Sequence, residues 1–145
     1  MNKLNEKMNV YLANQQVMYI KLHNMHWYIK GKSFFTLHAK LEELYEETAT
    51  VIDDVAERIL ALGGSPVGNL KKALELTAVK ELSDEAISSE NVVKSLLKDV
   101  EYWISDTKEI VKLAEEDGDG VTADQFNNYL GHYQKLQWML NSYLG

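Results

Sequence analysis

Cysteine is absent from the chain, proline occurs once, at Pro66, and no apolar run approaches the roughly 20 residues that cross a bilayer as a helix. Each absence closes a class of function. Without cysteine there is no thiolate zinc site, disulfide framework or thiol redox chemistry, which fits a reducing compartment. A basic excess is missing too: 15 Lys and Arg against 22 Asp and Glu give a net charge of −7. That is the wrong sign for a protein that grips phosphate backbones. The opening MNKLNEKMNV is too polar for the apolar heart of a signal peptide. The expectation is a soluble, cytoplasmic protein with no membrane partner, its 145 residues forming a single domain over 1–145.

Glycine is confined to Gly31, the Gly63-Gly64-Ser65-Pro66 stretch with Gly68, Gly118, Gly120, Gly131 and Gly145, a pattern of helix stops rather than strand turns. Between these stops apolar residues recur with a period near 3.6. Leu4, Met8, Tyr11, Leu12, Met18, Tyr19, Leu22 and Met25 predict a first helix ending at Gly31. Phe34, Leu37, Leu41, Leu44, Tyr45, Thr48, Ile52, Val55, Ile59 and Leu60 predict a second, N-capped by Ser33 and stopped at Gly63-Gly64. A third stripe runs from Val93 to Ala114 and a fourth from Phe126 to Tyr143, where Thr122 and Gln125 suggest a capping box. Loops of about four residues make helices one and two, and three and four, antiparallel neighbours. The stretch from Gly63 to near Asp84 has room for a short helix around Asn69 to Leu76 and for travel along the height of a bundle. The pattern predicts an all-α, ferritin-like four-helix bundle with a long crossover carrying a short helix.

Three of the four histidines, His23, His26 and His38, fall within sixteen residues. Helix two also carries His38 with Glu42, and Asp53 with Glu57, each at i, i+4 and so on one helical face. Taken singly, either pair is ordinary exposed charge. Glu42 and Asp53 lie within about 20° of each other around the helix but about 16 Å apart along it, too far for one metal centre. A two-fold axis closes the gap: antiparallel second helices of two copies bring His38 and Glu42 of one to Asp53 and Glu57 of the other. His26 sits across the short loop, placed to add an imidazole. Two imidazoles with three carboxylates suit ferrous iron or manganese better than copper or structural zinc. The competing reading of His26 is a core histidine beside Trp27; His23, one turn before His26, is a fifth or outer ligand or, as more expected, surface-exposed, and His132 is expected to be exposed. The acidic run Glu115-Glu116-Asp117-Gly118-Asp119-Gly120 with Asp124 is no EF-hand, because Phe126 stands where a bidentate Glu is required. It is a solvated turn or, in an oligomer, a cation-collecting mouth.

His26-Trp27, His38 with Glu42, Asp53-Asp54-Val55-Ala56-Glu57-Arg58 before Gly63-Gly64, and the ending Gln137-Trp138-Met139-Leu140 with Ser142-Tyr143-Leu144 resemble the Dps family of mini-ferritins, Gram-positive type, over essentially the whole chain. The resemblance implies a hollow, tetrahedral homododecamer acting as a ferroxidase. It would oxidise Fe(II) with hydrogen peroxide or O₂, store the ferric mineral and so protect the cell from oxidative damage. Its iron, one or two ions, would be held by His26, His38 and Glu42 of one subunit and Asp53 and Glu57 of the two-fold mate. Many members have Asp where this chain has Glu42. Glu115, Asp119 and Asp124 would line an iron entrance pore, with Gly120 where some members carry an acid. Glu43, Glu46 and Glu47 would nucleate mineral or form a solvated face; Trp27 would be an electron or radical outlet or core packing. A nucleoid-associated DNA binder is the alternative, and an inert helical oligomer a third. Direct DNA binding is not expected, since only Lys3 and Lys7 precede the first helix and no basic tail follows Leu144-Gly145.

Overall fold

The computed structural model describes residues 2–145. In order along the chain it contains α1 (Lys3–Tyr28), β1 (Ile29–Lys30), α2 (Phe34–Ala61), α3 (Leu70–Leu76), β2 (Ile87–Ser88), α4 (Ser89–Glu116) and α5 (Gly120–Leu144). Contacts divide the chain into two compact units, one up to Val92 and one from Val93. No helix among the described residues is long and apolar enough to cross a membrane.

In the first unit α1 and α2 form an antiparallel hairpin. His26 meets His38 near the turn, Tyr19 meets Tyr45 further down, and Asn5 approaches Gly64 at the far end. Gly31, at φ +123°, makes the tight reversal. Ser33 occupies the N-cap position of α2 but its side chain makes no capping bond. The buried residues of α2 form one stripe, Leu37, Leu41, Leu44, Thr48, Val55 and Ile59, as its apolar spacing predicts. Gly63, at φ +83°, ends the helix. A side chain on the next residue, Gly64, would have its Cβ 2.9 Å from Ile59 Cγ2, so the chain can leave α2 here only without one.

The burial of α1 is of another kind: Tyr11, Leu12, Ala13, Asn14 and Gln15 are all buried in succession, so the helix is covered on more than its apolar stripe. Its polar residues serve the crossover. Asn9 accepts from Val67 N (2.8 Å) and donates to Ser65 O (3.1 Å). Gln16 donates to Val67 O (2.9 Å), and Asn14 Oδ1 accepts from Ala78 N and the Thr77 hydroxyl, each at 2.8 Å. These amides bond main-chain groups of a non-helical segment, among them the buried Val67 N–H, which would otherwise be left unpaired. The short helix falls where the sequence predicts it, with Asn69 capping Lys72 N at 2.9 Å. The pattern gave no sign of one feature. Ile29 and Lys30 pair in parallel with Ile87 and Ser88, tying the α1–α2 turn to the end of the crossover.

In the second unit, Trp103 of α4 meets Tyr133 of α5, ring centroids 5.3 Å apart. Gly118, at φ +70°, turns the chain out of α4. The expected Thr122–Gln125 capping box is not what starts α5. Asp119 is the N-cap, accepting from Thr122 N at 3.0 Å and from the Thr122 hydroxyl, so the helix begins earlier, while Gln125 donates to the Tyr129 hydroxyl. An Asp ahead of Thr caps as well as Thr does, and the geometry of the turn decides between them.

The amide ladder sets a stability test. Asn9→Ala leaves the buried Val67 N–H without its acceptor and should lower unfolding free energy by about 1–3 kcal/mol. Chemical denaturation measures it, with faster hydrogen exchange at the Val67 amide. Asn127→Ala, on the exposed face of α5, should stay within about 0.5 kcal/mol of the parent.

Candidate metal centre

The last turn of α1 and the first turns of α2 place two histidines face to face. The His26 and His38 rings are stacked, centroids 3.6 Å apart and planes 13° from parallel, and Phe34 stacks on the other side of His38 at 4.8 Å. Their hydrogen bonds are reciprocal. His26 Nδ1 lies 2.7 Å from the His38 carbonyl oxygen and His38 Nδ1 lies 2.8 Å from the His26 carbonyl oxygen. A carbonyl can only accept, so each Nδ1 carries a proton and donates it, and in the neutral ring the lone pair is on Nε2. That is the tautomer a metal-binding imidazole needs, with its orientation held from behind by a backbone partner.

Glu42, one turn beyond His38, brings Oε1 to 3.9 Å from His26 Nε2; the imidazole is nearly enclosed while the carboxylate side chain is 53% exposed. Tyr45 donates to the same Oε1 at 3.3 Å. Burial, then the charge of Glu42 and the bond to it, then Glu46, raise the Tyr45 phenol above its ordinary range, so it remains a donor at neutral pH. Tyr45 is itself packed against α1. His23 stacks on it at 3.8 Å, and His26 meets it edge-on at 5.4 Å.

The five residues expected to hold metal do not all meet in one chain. His26 stacks on His38 and lies 3.9 Å from Glu42, whereas Asp53 and Glu57 lie exposed further along α2, beyond a continuous stretch of helix. Among the described residues no group of three or more His, Asp or Glu side chains in one chain is arranged to hold a metal ion. Within one chain the described residues bring His26 to His38 and to Glu42 without forming a metal site. Oxygen and imidazole donors of this kind suit Fe(II), a borderline ion that accepts both.

Several neighbours differ from expectation. His23 is half-buried rather than surface-exposed, its Nδ1 bonded to the Tyr19 carbonyl at 2.7 Å. Trp27 is not core packing within this chain: it is 68% exposed, 5.3 Å from the His23 ring. His132 is exposed, as expected. Glu43, Glu46 and Glu47 lie on the exposed side of α2, with Glu43 paired to Lys40 at 3.3 Å. Glu115 and Asp124 are exposed, but the Asp119 carboxylate is engaged by Thr122 in capping α5. Sequence reasoning missed Tyr45, counting it in the apolar stripe. Its i, i+3 spacing from Glu42 was the available signal.

Comparison with known proteins bears on this geometry. The ferritin-like domain family matches residues 5–145. The chain is 47% identical to general stress protein 20U of Bacillus subtilis, over 99% of this chain and 98% of that protein. It is 41% identical to DNA protection during starvation protein 2 of Bacillus anthracis, over 96% and 94%. The crystal structure of Dps from Staphylococcus aureus superposes with a TM-score of 0.94 at 42% identity, covering 98% of this chain and 95% of that one. The all-α, ferritin-like fold expected from the periodicity is thus shown, and the chain belongs to the ferritin-like family and, within it, to the Dps proteins.

Proposed function

We propose that the protein is a ferroxidase that detoxifies and stores iron, with its centre shared between two copies related by a two-fold axis. The observation that carries this is the reciprocal His26–His38 arrangement, which leaves the Nε2 lone pair of both rings free while Glu42 adds a single carboxylate beside His26. Asp53 and Glu57 of a second copy would complete the set, and a homododecamer would enclose the ferric product. Family membership supports the coarser part of this reading, an iron-handling protein of the Dps type.

Hydrogen peroxide is the proposed oxidant. Two Fe(II) each lose one electron, the O–O bond of one peroxide breaks, and two protons complete two waters. Pairing the electrons in this way releases no hydroxyl radical. The protein's part is to hold both donors of charge in place: neutral imidazoles fixed by carbonyls, and carboxylates that offset the rising charge on iron. Glu115 and Asp124, with Asp119 at the helix cap, would draw cations toward a pore where copies meet. Glu43, Glu46 and Glu47 would face the growing mineral. Trp27, exposed beside His23, would serve as an outlet for stray oxidising equivalents.

The name of the Bacillus anthracis relative raises DNA as a second ligand. A net charge of −7 per chain opposes direct binding to phosphate. Protection of DNA would then follow from removal of iron and peroxide.

Two measurements test these readings. His38→Ala and Asp53→Asn should each slow peroxide-driven Fe(II) oxidation by about tenfold or more with helicity unchanged; rates equal to the parent's in both would exclude the centre. Plasmid DNA should migrate unretarded with the protein at neutral pH and moderate salt in the absence of divalent cations, and salt-sensitive retardation would favour the DNA-binding alternative.

A further inference from the structure

Glu42 is a flexible side chain on an exposed helix face, and nothing in its own backbone fixes where its carboxylate rests. Yet Oε1 is approached from two sides, by the Tyr45 hydroxyl at 3.3 Å and by His26 Nε2 at 3.9 Å. The Tyr45 ring is in turn immobilised. His23 lies flat on it at 3.8 Å and 21°, His26 and Tyr19 meet it edge-on at 5.4 and 6.1 Å, and His23 is locked by its bond to the Tyr19 carbonyl. Tyr19, His23 and His26 all lie on α1, while Glu42 and Tyr45 lie on α2.

We propose that Tyr45, braced by His23, is a positioning residue that holds the Glu42 carboxylate beside His26 Nε2 in readiness for a divalent cation. This rests on Glu42 being a metal ligand. It gives His23 a task that needs no coordination: its ring sets the ring that sets the carboxylate. It also fits the choice of Glu at this position. The hydrogen bond is already long, so an Asp, one methylene shorter, would fall outside the reach of the Tyr45 hydroxyl. Tyr45 and the length of Glu42 therefore act as one unit.

That coupling is what the test reads. Calorimetric titration with Co(II), under conditions where no oxidation occurs, is carried out on the assembled protein and on Tyr45→Phe, Glu42→Asp and the double variant. Tyr45→Phe keeps the ring stack and removes only the hydroxyl. It should weaken Co(II) binding about three- to tenfold when Glu42 is present, with no shift in the thermal midpoint, and should have no further effect in the Glu42→Asp background. Unchanged affinity in Tyr45→Phe, or the same loss in both backgrounds, would overturn the positioning role and leave the metal centre standing. A parent protein that binds no Co(II), or whose binding survives His26→Ala with Asp53→Ala, would overturn the centre itself and this role with it.

Discussion

The pair of crossed hydrogen bonds between His26 and His38 is the constraint on which the rest depends. Each imidazole gives its Nδ1 proton to the other's main-chain carbonyl, at 2.7 and 2.8 Å, so two residues on different helices become one rigid element. The element works only if α1 runs unbroken to Tyr28, Gly31 permits the reversal, and α2 starts within reach. The parallel pairing of Ile29 and Lys30 with Ile87 and Ser88 braces the same turn from the crossover side. Backbone geometry thereby sets the tautomer of both rings and leaves the lone pair of each on Nε2. Imidazole nitrogens fixed in this way would be pre-organised for the proposed iron centre.

Much of this was legible in the sequence, and the physical reason is periodicity. Four long stripes at 3.6 spacing, punctuated by glycine, fixed the four main helices to within a few residues. Asn69 marked the short one. The misjudged start of α5 has a local cause. At α5 two residues, Asp119 and Thr122, could each cap, and the left-handed Gly118 before them settles which one does. The Ile29–Ile87 pairing joins two residues far apart in sequence, and no local pattern announces it. The amide ladder of Asn9, Asn14 and Gln16 was hidden for the opposite reason. Asparagine and glutamine look like surface residues until an irregular segment needs their hydrogen bonds.

The site divides along the same line. Helical spacing was enough to place His38 with Glu42, to set Asp53 and Glu57 on the same face, and to show that one chain could not gather all four. Spacing could not show what the two ring nitrogens of each histidine do, because that depends on carbonyls across a turn. Nor could it separate Tyr45 from the core stripe, since its ring packs as an apolar residue would while its hydroxyl turns to Glu42. His23 was misjudged because its partners, Tyr19 and Tyr45, lie on two different helices.

The claim that matters most is that the centre belongs to two chains, and subunit mixing tests it directly. His26→Ala and Asp53→Ala are purified separately, each inactive alone, then dissociated and reassembled together. In a pair with one copy of each, both lesions fall in the same centre and the other centre is intact. Random reassembly should therefore restore about one quarter of the parent's peroxide-driven iron oxidation. A mixture as inactive as its components, despite confirmed mixed assembly, would contradict a shared centre and place the chemistry within a single chain.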